Sequence, residues 1–412
     1  MILNIPIAAS PVKIEENLGS FSPVPRSPLE KRDFTDAVVF TPPSDYTSWQ
    51  TIYGRSAQLT DGSLLVTWED YPPVTETPFP IYRSTNGGET VFHLFFCPFP
   101  LTPPLITQEE ISSSYLYSRS SSKGSNVNLL KWAAYSQILD QVNGWGMRYQ
   151  PNLYVLPEAF GGYAAGTVLC VGVSAPANLS EAYIDVYAST DGGLGWKFLS
   201  HIAYGAGPEI ITDGDAAIWE PFFFLYDSEL ICFYSDQRDS AHAQKLSYQT
   251  TTNLLTWSTA VDAVADPTYE HRPGMATVSY LSSISLYFIS YELCISGSGC
   301  NAYYRWSSSP LTFNAVSSTA TELVASGAAA GGSPYHVYYD GKIYMNGGDN
   351  ANLFVNVAGE TNWTQINVNQ NQAYTRCLEI ITVDGEDKLM LTSGGKMTTS
   401  GNVVTVGVIT PP

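Results

Sequence analysis

Basic residues are scarce in this sequence. Lysine and arginine number 19 against 38 aspartates and glutamates in 412 residues, a formal net charge of −19. Phosphate backbones and anionic lipid surfaces are bound through clustered Lys and Arg, so nucleic-acid and membrane-surface partners are excluded. Long apolar runs are lacking as well. The stretch 221–225 is among the longest and falls far short of the roughly 20 residues of a membrane helix. There are six cysteines, but no C-x-x-C pair and no accompanying histidine cluster, so no metal site is expected. A G-x-S-x-G elbow, a P-loop and an H-E-x-x-H motif are all missing, and His271 has no evident Ser or Cys partner. Sustained helical periodicity is absent too. What remains is 44% hydrophobic and 13% aromatic, too apolar for a disordered chain. The length allows two or three domains, or one large all-β domain.

The strongest positive signal is a repeat. Ser189-Thr190-Asp191-Gly192-Gly193-Leu194-Gly195-Trp196 matches the Asp-box pattern S-x-D-x-G-x-x-W, with strand-like runs on either side. The Asp can accept backbone N–H bonds across the turn, the glycines permit positive φ, and the Trp packs under the hairpin. A second copy begins at Ser84-Thr85-Asn86-Gly87-Gly88, and degenerate copies occupy 248–257, 304–313 and 354–363. Six strand pairs recur: 55–59 with 63–69, 151–156 with 167–173, 219–225 with 230–235, 274–280 with 285–292, 335–339 with 342–347, and 375–383 with 388–392. Their spacing of roughly 40–65 residues predicts a six-bladed β-propeller of four-stranded antiparallel blades. The sixth blade has only 403–409 after its first pair, so 37–41 from the N-terminus is expected to supply its fourth strand.

Residues 1–35 read as a disordered leader or pro-segment ahead of a propeller spanning 36–412. The leader carries a dibasic Lys31-Arg32. The box at Ser84 lacks its Trp, and 91–130 reads as an insertion between that box and its outer strand, which resumes at Lys131-Trp132. Cys294 and Cys300 are close enough to bridge a short loop, whereas Cys170 and Cys232 sit in strand-like runs as buried thiols. Two sequons, at Asn178 and Asn362, together with the acidic pI, lean toward a secreted protein.

Propeller topology brings the starts of first strands and the ends of second strands to one face, with the box turns on the other. Arg55, Arg148, Glu220, Arg272, Tyr335 and Arg376 stand at first-strand starts. Glu69, Asp70, Asp236, Glu292, Asp349 and Asn350 stand at second-strand ends. Glu220 in Trp219-Glu220-Pro221 and Glu292 in Tyr291-Glu292 would face the central pocket from adjacent blades. Burial raises one carboxyl's pKa while a nearby Arg lowers its partner's, the separation that glycoside hydrolysis requires. Trp145 and Trp219 lie on the same face, where sugar rings stack on aromatics. For Glu69, Asp70 and Asp236, a cap or salt bridge and a ligand contact both remain open.

These residues resemble a known family. The runs 54–59, 143–151 and 156–159, with Trp219-Glu220-Pro221 and Tyr291-Glu292, look like those of the family 93 glycoside hydrolases, secreted fungal exo-α-1,5-L-arabinanases with a six-bladed propeller. The resemblance covers about 36–411 apart from the insertion. It implies a retaining enzyme that releases arabinobiose from the non-reducing end of linear arabinan and needs no cofactor. Glu220 would be the nucleophile and Glu292 the general acid/base, though the two could be exchanged. Arg55, Trp145, Arg148, Trp219, Asp236, Arg272, Tyr335 and Arg376 would contact substrate, and the protein is expected to be monomeric. Two alternatives are a sialidase, with Arg55, Arg272 and Arg376 gripping a carboxylate, and a non-catalytic sugar-binding propeller.

Overall fold

A computed structural model describes residues 33–88, 132–315, 320–348 and 350–412, with the backbone alone at 91–93 and 127–129. The leader up to Arg32, most of the insertion and Asp349 lie outside the described residues. The span Asp33–Pro412 is one compact unit.

Six four-stranded antiparallel sheets form the six blades of a propeller. Blade 1 comprises Thr51–Gln58, Leu64–Asp70, Phe79–Ser84 and Ala133–Ile138. Blade 2 comprises Met147–Val155, Val168–Ser174, Ala182–Ser189 and Lys197–Gly205. Ile218–Tyr226, Glu229–Asp236, Lys245–Thr251 and Val261–Val264 make blade 3. Arg272–Leu281, Leu286–Ile295, Gly299–Ser307 and Thr321–Glu322 make blade 4. Tyr335–Tyr339, Lys342–Asn346, Leu353–Val357 and Thr364–Ile366 follow as blade 5. Blade 6 takes Cys377–Val383, Glu386–Ser393 and Val404–Ile409. Its outer strand is Phe34–Phe40, which pairs antiparallel with Val404–Ile409. The N-terminal strand thus closes the ring as expected, but it starts at Phe34, just ahead of the anticipated boundary.

Sandwiched blades explain why the second strands read as apolar runs. Leu64–Asp70 and Val168–Ser174 are buried at every position, because each sheet is covered on both faces by its neighbours. The core is accordingly divided into layers between adjacent blades. Leu64, Val66 and Trp68 of blade 1 meet Met390 and Val404 of blade 6. Leu65 and Phe79 meet Met147 and Val168 of blade 2 on the other side.

The box turns obey local rules. In blade 2, the Ser189 hydroxyl donates to Asp191 at 2.7 Å and accepts from Gly193 N at 2.8 Å, and Trp196 Nε1 donates to the Gly193 carbonyl at 3.1 Å. Blade 1 repeats this with Asn86 in place of the Asp. Ser84 Oγ pairs with Asn86 at 2.7 Å and accepts from Gly88 N at 3.1 Å. Trp132 is the missing tryptophan: it is buried, and its Nε1 donates to the Gly88 carbonyl at 3.3 Å. The insertion therefore leaves the box between Gly88 and Trp132, where 91–93 and 127–129 pair as a short ladder, and Ala133–Ile138 still completes the sheet.

One recurring feature had no sequence signal. Near the head of every innermost strand, within its first four residues or just before it, a non-glycine residue adopts positive φ: Tyr53, Gln150, Glu220, Met275, Ser333 and Thr375. In blades 1 to 4 the strand register shifts at this point, from Ile52 to Arg55, Tyr149 to Asn152, Trp219 to Phe222 and Gly274 to Thr277. These are β-bulges, which re-aim backbone and side chains at the rim of a closed sheet. Left-handed backbone at a non-glycine residue is strained and gathers at functional sites.

Candidate active site

Three of these positive-φ residues point their amides at carboxylates and hydroxyls of the preceding blade. Gln150 N donates to Glu69 Oε1 at 2.9 Å, and Ser333 N to Glu292 Oε2 at 2.8 Å. Met275 N donates both to Ser235 Oγ at 3.2 Å and to Glu220 Oε2 at 3.1 Å. The acceptors Glu69, Ser235 and Glu292 hold one position in the repeat, each opposite the residue before the bulge: Ile52, Trp219 and Gly274 respectively.

Glu220 is itself a bulge residue and lines the central cavity with Tyr53, Arg55, Asn152, Met275 and Tyr335. Its Oε2 also accepts the Ser235 hydroxyl at 2.6 Å. Glu292 ends the second strand of the next blade, directly opposite Gly274. A Cβ at Gly274 would lie 3.3 Å from Glu220 Oε2, and one at Gly332 would lie 2.8 Å from Glu292 Oε2. The two carboxyls therefore flank one glycine from adjacent blades, with backbone close against each. Burial pushes Glu220 up to about 8, with the charge of Glu292 adding to the rise. Burial also raises Glu292, opposed by the Ser333 amide and the charge of Arg272. The two carboxyls are coupled, so the second proton leaves against the charge left by the first.

The other expected contacts divide into two groups. Tyr335 and Arg55 line the cavity, where the guanidinium lies 4.0 Å from the Tyr53 ring centre and 4.7 Å from that of Tyr335. Arg55 also donates to the Thr375 carbonyl and hydroxyl, so it braces the channel between blades 1 and 6. Trp219 is half-buried beside Tyr149. Arg272 bonds Asp213, the Ala243 carbonyl and Gln244 on the rim near Glu292. Trp145 and Arg148 stand at the rim of blade 2. Trp145 stacks on Tyr183 at 5.8 Å, and Arg148 donates to the carbonyls of Ala175 and Thr75.

Two expectations are corrected. Asp236 is buried, and both of its oxygens are held by Arg238, with Ser247 adding a third bond, so it is an internal ion pair and not a sugar contact. Arg376 is fully buried and donates to the carbonyls of Ala351, Gln370, Asn371 and Asn352. It ties blade 5 to blade 6. With Arg376 sealed and Arg55 lying on aromatic rings, the three arginines do not form a carboxylate grip. Asp70 is also internal, accepting from Trp68 Nε1 and Tyr46.

Sequence reasoning missed Tyr53, Asn152, Ser235 and Met275. Asn152 is buried on the cavity wall, and its Oδ1 has no hydrogen-bond partner among the described residues, as is true of Trp219 Nε1. Cys294 and Cys300 form a disulfide, facing each other in register beside Glu292. Glu292, Cys294 and Cys300 cluster closely enough to suggest metal ligands, but the disulfide occupies both sulfurs. Cys170 and Cys232 are buried free thiols.

No family model and no curated protein matches this chain. Solved structures do. The α-L-arabinanase of Penicillium chrysogenum, complexed with arabinobiose, is 36% identical over 92% of this chain and 99% of its own, with a TM-score of 0.78. A family 93 α-L-arabinofuranosidase of Fusarium graminearum with arabinobiose matches at 36% identity over 92% of this chain and 98% of its own, also at 0.78. The same Fusarium enzyme with an iminosugar inhibitor gives the same figures.

Proposed function

Because this chain belongs to glycoside hydrolase family 93, we propose that it hydrolyses linear α-1,5-arabinan, releasing arabinobiose from the non-reducing end with retention of configuration. The observation that carries the reading is the Glu220–Glu292 pair, two half-buried carboxyls flanking Gly274, one near the head of the blade 3 inner strand and one near the end of the second strand of blade 4.

Glu220 is assigned as nucleophile. Its Oε2 is anchored by two donors, Ser235 and Met275 N, which orient the carboxylate and favour its charge. In the empty site the Glu292 charge lifts Glu220. Protonating Glu292 removes that charge, so Glu220 falls as Glu292 takes the proton. In the first step a Glu220 oxygen attacks the anomeric carbon, the glycosidic C–O bond breaks, and Glu292 gives its proton to the leaving oxygen. In the second step Glu292 takes a proton from water, whose oxygen displaces Glu220 and restores both groups. Arg272 sits where it stabilises the Glu292 anion between the steps. Asn152 Oδ1 and Trp219 Nε1 supply an acceptor and a donor for sugar hydroxyls at the wall. The Cys294–Cys300 bridge fits secretion, since disulfides persist in oxidising compartments, and the protein is taken to act as a monomer.

The test uses an aryl α-arabinobioside and azide. With Glu220→Ala, azide enters from the face the nucleophile occupied and yields the inverted glycosyl azide. With Glu292→Ala, azide resolves the glycosyl-enzyme and yields the retained one. The reverse pattern would exchange the two roles, and undiminished hydrolysis by both variants would refute the pair.

A further inference from the structure

The repeat puts a carboxylate at the Glu292 position once more, at Glu69 of blade 1. Glu69 lies opposite Ile52, the residue before a bulge, and takes the positive-φ amide of the next blade, just as Glu292 takes that of Ser333. Blades 1 and 4 are three steps apart in a ring of six, so Glu69 faces the catalytic pair from the far side of the channel. It is only 2% exposed. Its Oε1 accepts from Gln150 N and its Oε2 from the Tyr71 hydroxyl at 2.8 Å. Arg55 is the cation whose charge reaches it, and that guanidinium is held by Thr375 and the rings of Tyr53 and Tyr335.

We propose that Glu69 is a positioning residue of the active site, a fixed third carboxyl whose negative charge acts across the channel on Glu220. It has no place in the reaction scheme. It is too well sealed to reach substrate, and charge is what it can transmit through the protein interior, where Coulomb interactions are weakly screened. Tyrosine hydroxyls around the channel respond to these carboxyls. The Tyr53 and Tyr374 hydroxyls are raised by burial and by Glu69, Glu220 and Glu292 together. Tyr71 and Tyr149 are raised by burial and then by Glu69, with Arg148 opposing. Glu69 adds to the upward push on Glu220, and burial brings Glu69 itself to about 7. Both Glu69 oxygens accept a donor, which favours its charged form.

This inference rests on Glu220 acting as the ionised nucleophile. The experiment is a pH profile of kcat/KM on linear arabinan for the full chain and for Glu69→Gln, with thermal melting of both. Removing the charge lowers the Glu220 pKa, so the acid limb should move to lower pH by roughly half a unit to one unit, with KM little changed. A drop in activity with the limb unmoved would make Glu69 merely structural and overturn the proposal, as would an unchanged profile. If Glu69→Gln does not fold, Tyr71→Phe serves. Losing that donor makes the Glu69 anion less favourable, so the limb should move the same way by a smaller amount, and an unmoved limb refutes the idea. Failure of the underlying reading looks different, because Glu220→Gln would then remain active. If the wild type left arabinan intact, the pH dependence of arabinobiose binding to wild type and Glu69→Gln would report the same shift.

Discussion

Blade 1 and blade 4 put a glutamate at the same place in the repeat and surround it differently. In blade 1, Tyr71 and the Gln150 amide hold one oxygen each, and the side chain is sealed. In blade 4 the Ser333 amide holds one oxygen of Glu292. Gly274 and Gly332 leave space around it, Arg272 stands nearby, and the strand end is pinned by the Cys294–Cys300 bridge. The repeat fixes where a carboxyl sits; the neighbours decide whether it can meet a sugar. On the proposed reading, one position thus yields a reacting acid on one side of the channel and a buried charge on the other.

The comparison can be broken most severely at blade 4. Glu292→Gln, like Glu220→Gln, should reduce kcat on arabinan by roughly 10²–10⁴-fold, the range for losing an acid/base group, with melting little changed. Glu69→Gln should cost less than about tenfold at the optimum, because it alters only a neighbouring charge. Equal losses at blades 1 and 4 would erase the distinction.

Stability sharpens the same contrast. Trp132→Ala removes a buried ring from the split box of blade 1 and should lower unfolding stability by about 3–5 kcal/mol in denaturant titration. That loss shows whether the box functions across its insertion; a negligible effect would mean that the blade does without it. Replacing Cys294 and Cys300 together by serine opens a short loop and should cost roughly 2 kcal/mol. It should also raise KM, since the bridge fixes the strand end carrying Glu292. The smallest effect concerns pH. Glu69, Glu220 and Glu292 all have native pKa values raised above their unfolded ones. Below the unfolded values, near 4.5, all three are protonated in both states and cost nothing. As pH rises through about 7 to 8 the native state must ionise buried acids, and stability falls. The melting temperature should therefore decline from pH 5 to 8, and Glu69→Gln should flatten the slope.

The sequence carried the architecture well because the box is local. Ser189, Asp191 and Gly193 bond within one turn, so their spacing is readable in the chain. It brought Glu220 and Glu292 together because topology alone brings strand ends to one face. It was misled at Asp236 and Arg376, whose positions are equivalent by topology but whose partners are not local. Arg238 captures the first through both oxygens, and carbonyls from the blade 5 turn and the 370–371 loop capture the second. The positive-φ residues were invisible because Tyr53, Gln150, Glu220, Met275, Ser333 and Thr375 share no residue type and none is glycine. Asn152 and Ser235 went unseen for the same reason, since their place in the channel follows from a bulge and not from a motif.

The most direct test is the stereochemistry of the first product. Linear arabinan is hydrolysed in the presence of methanol, and the methyl glycoside is followed by proton NMR before it is consumed. The α-methyl glycoside of arabinobiose, lost with either Glu220→Gln or Glu292→Gln, is the predicted result. A β-product, or release of arabinobiose that survives both substitutions, would contradict the account.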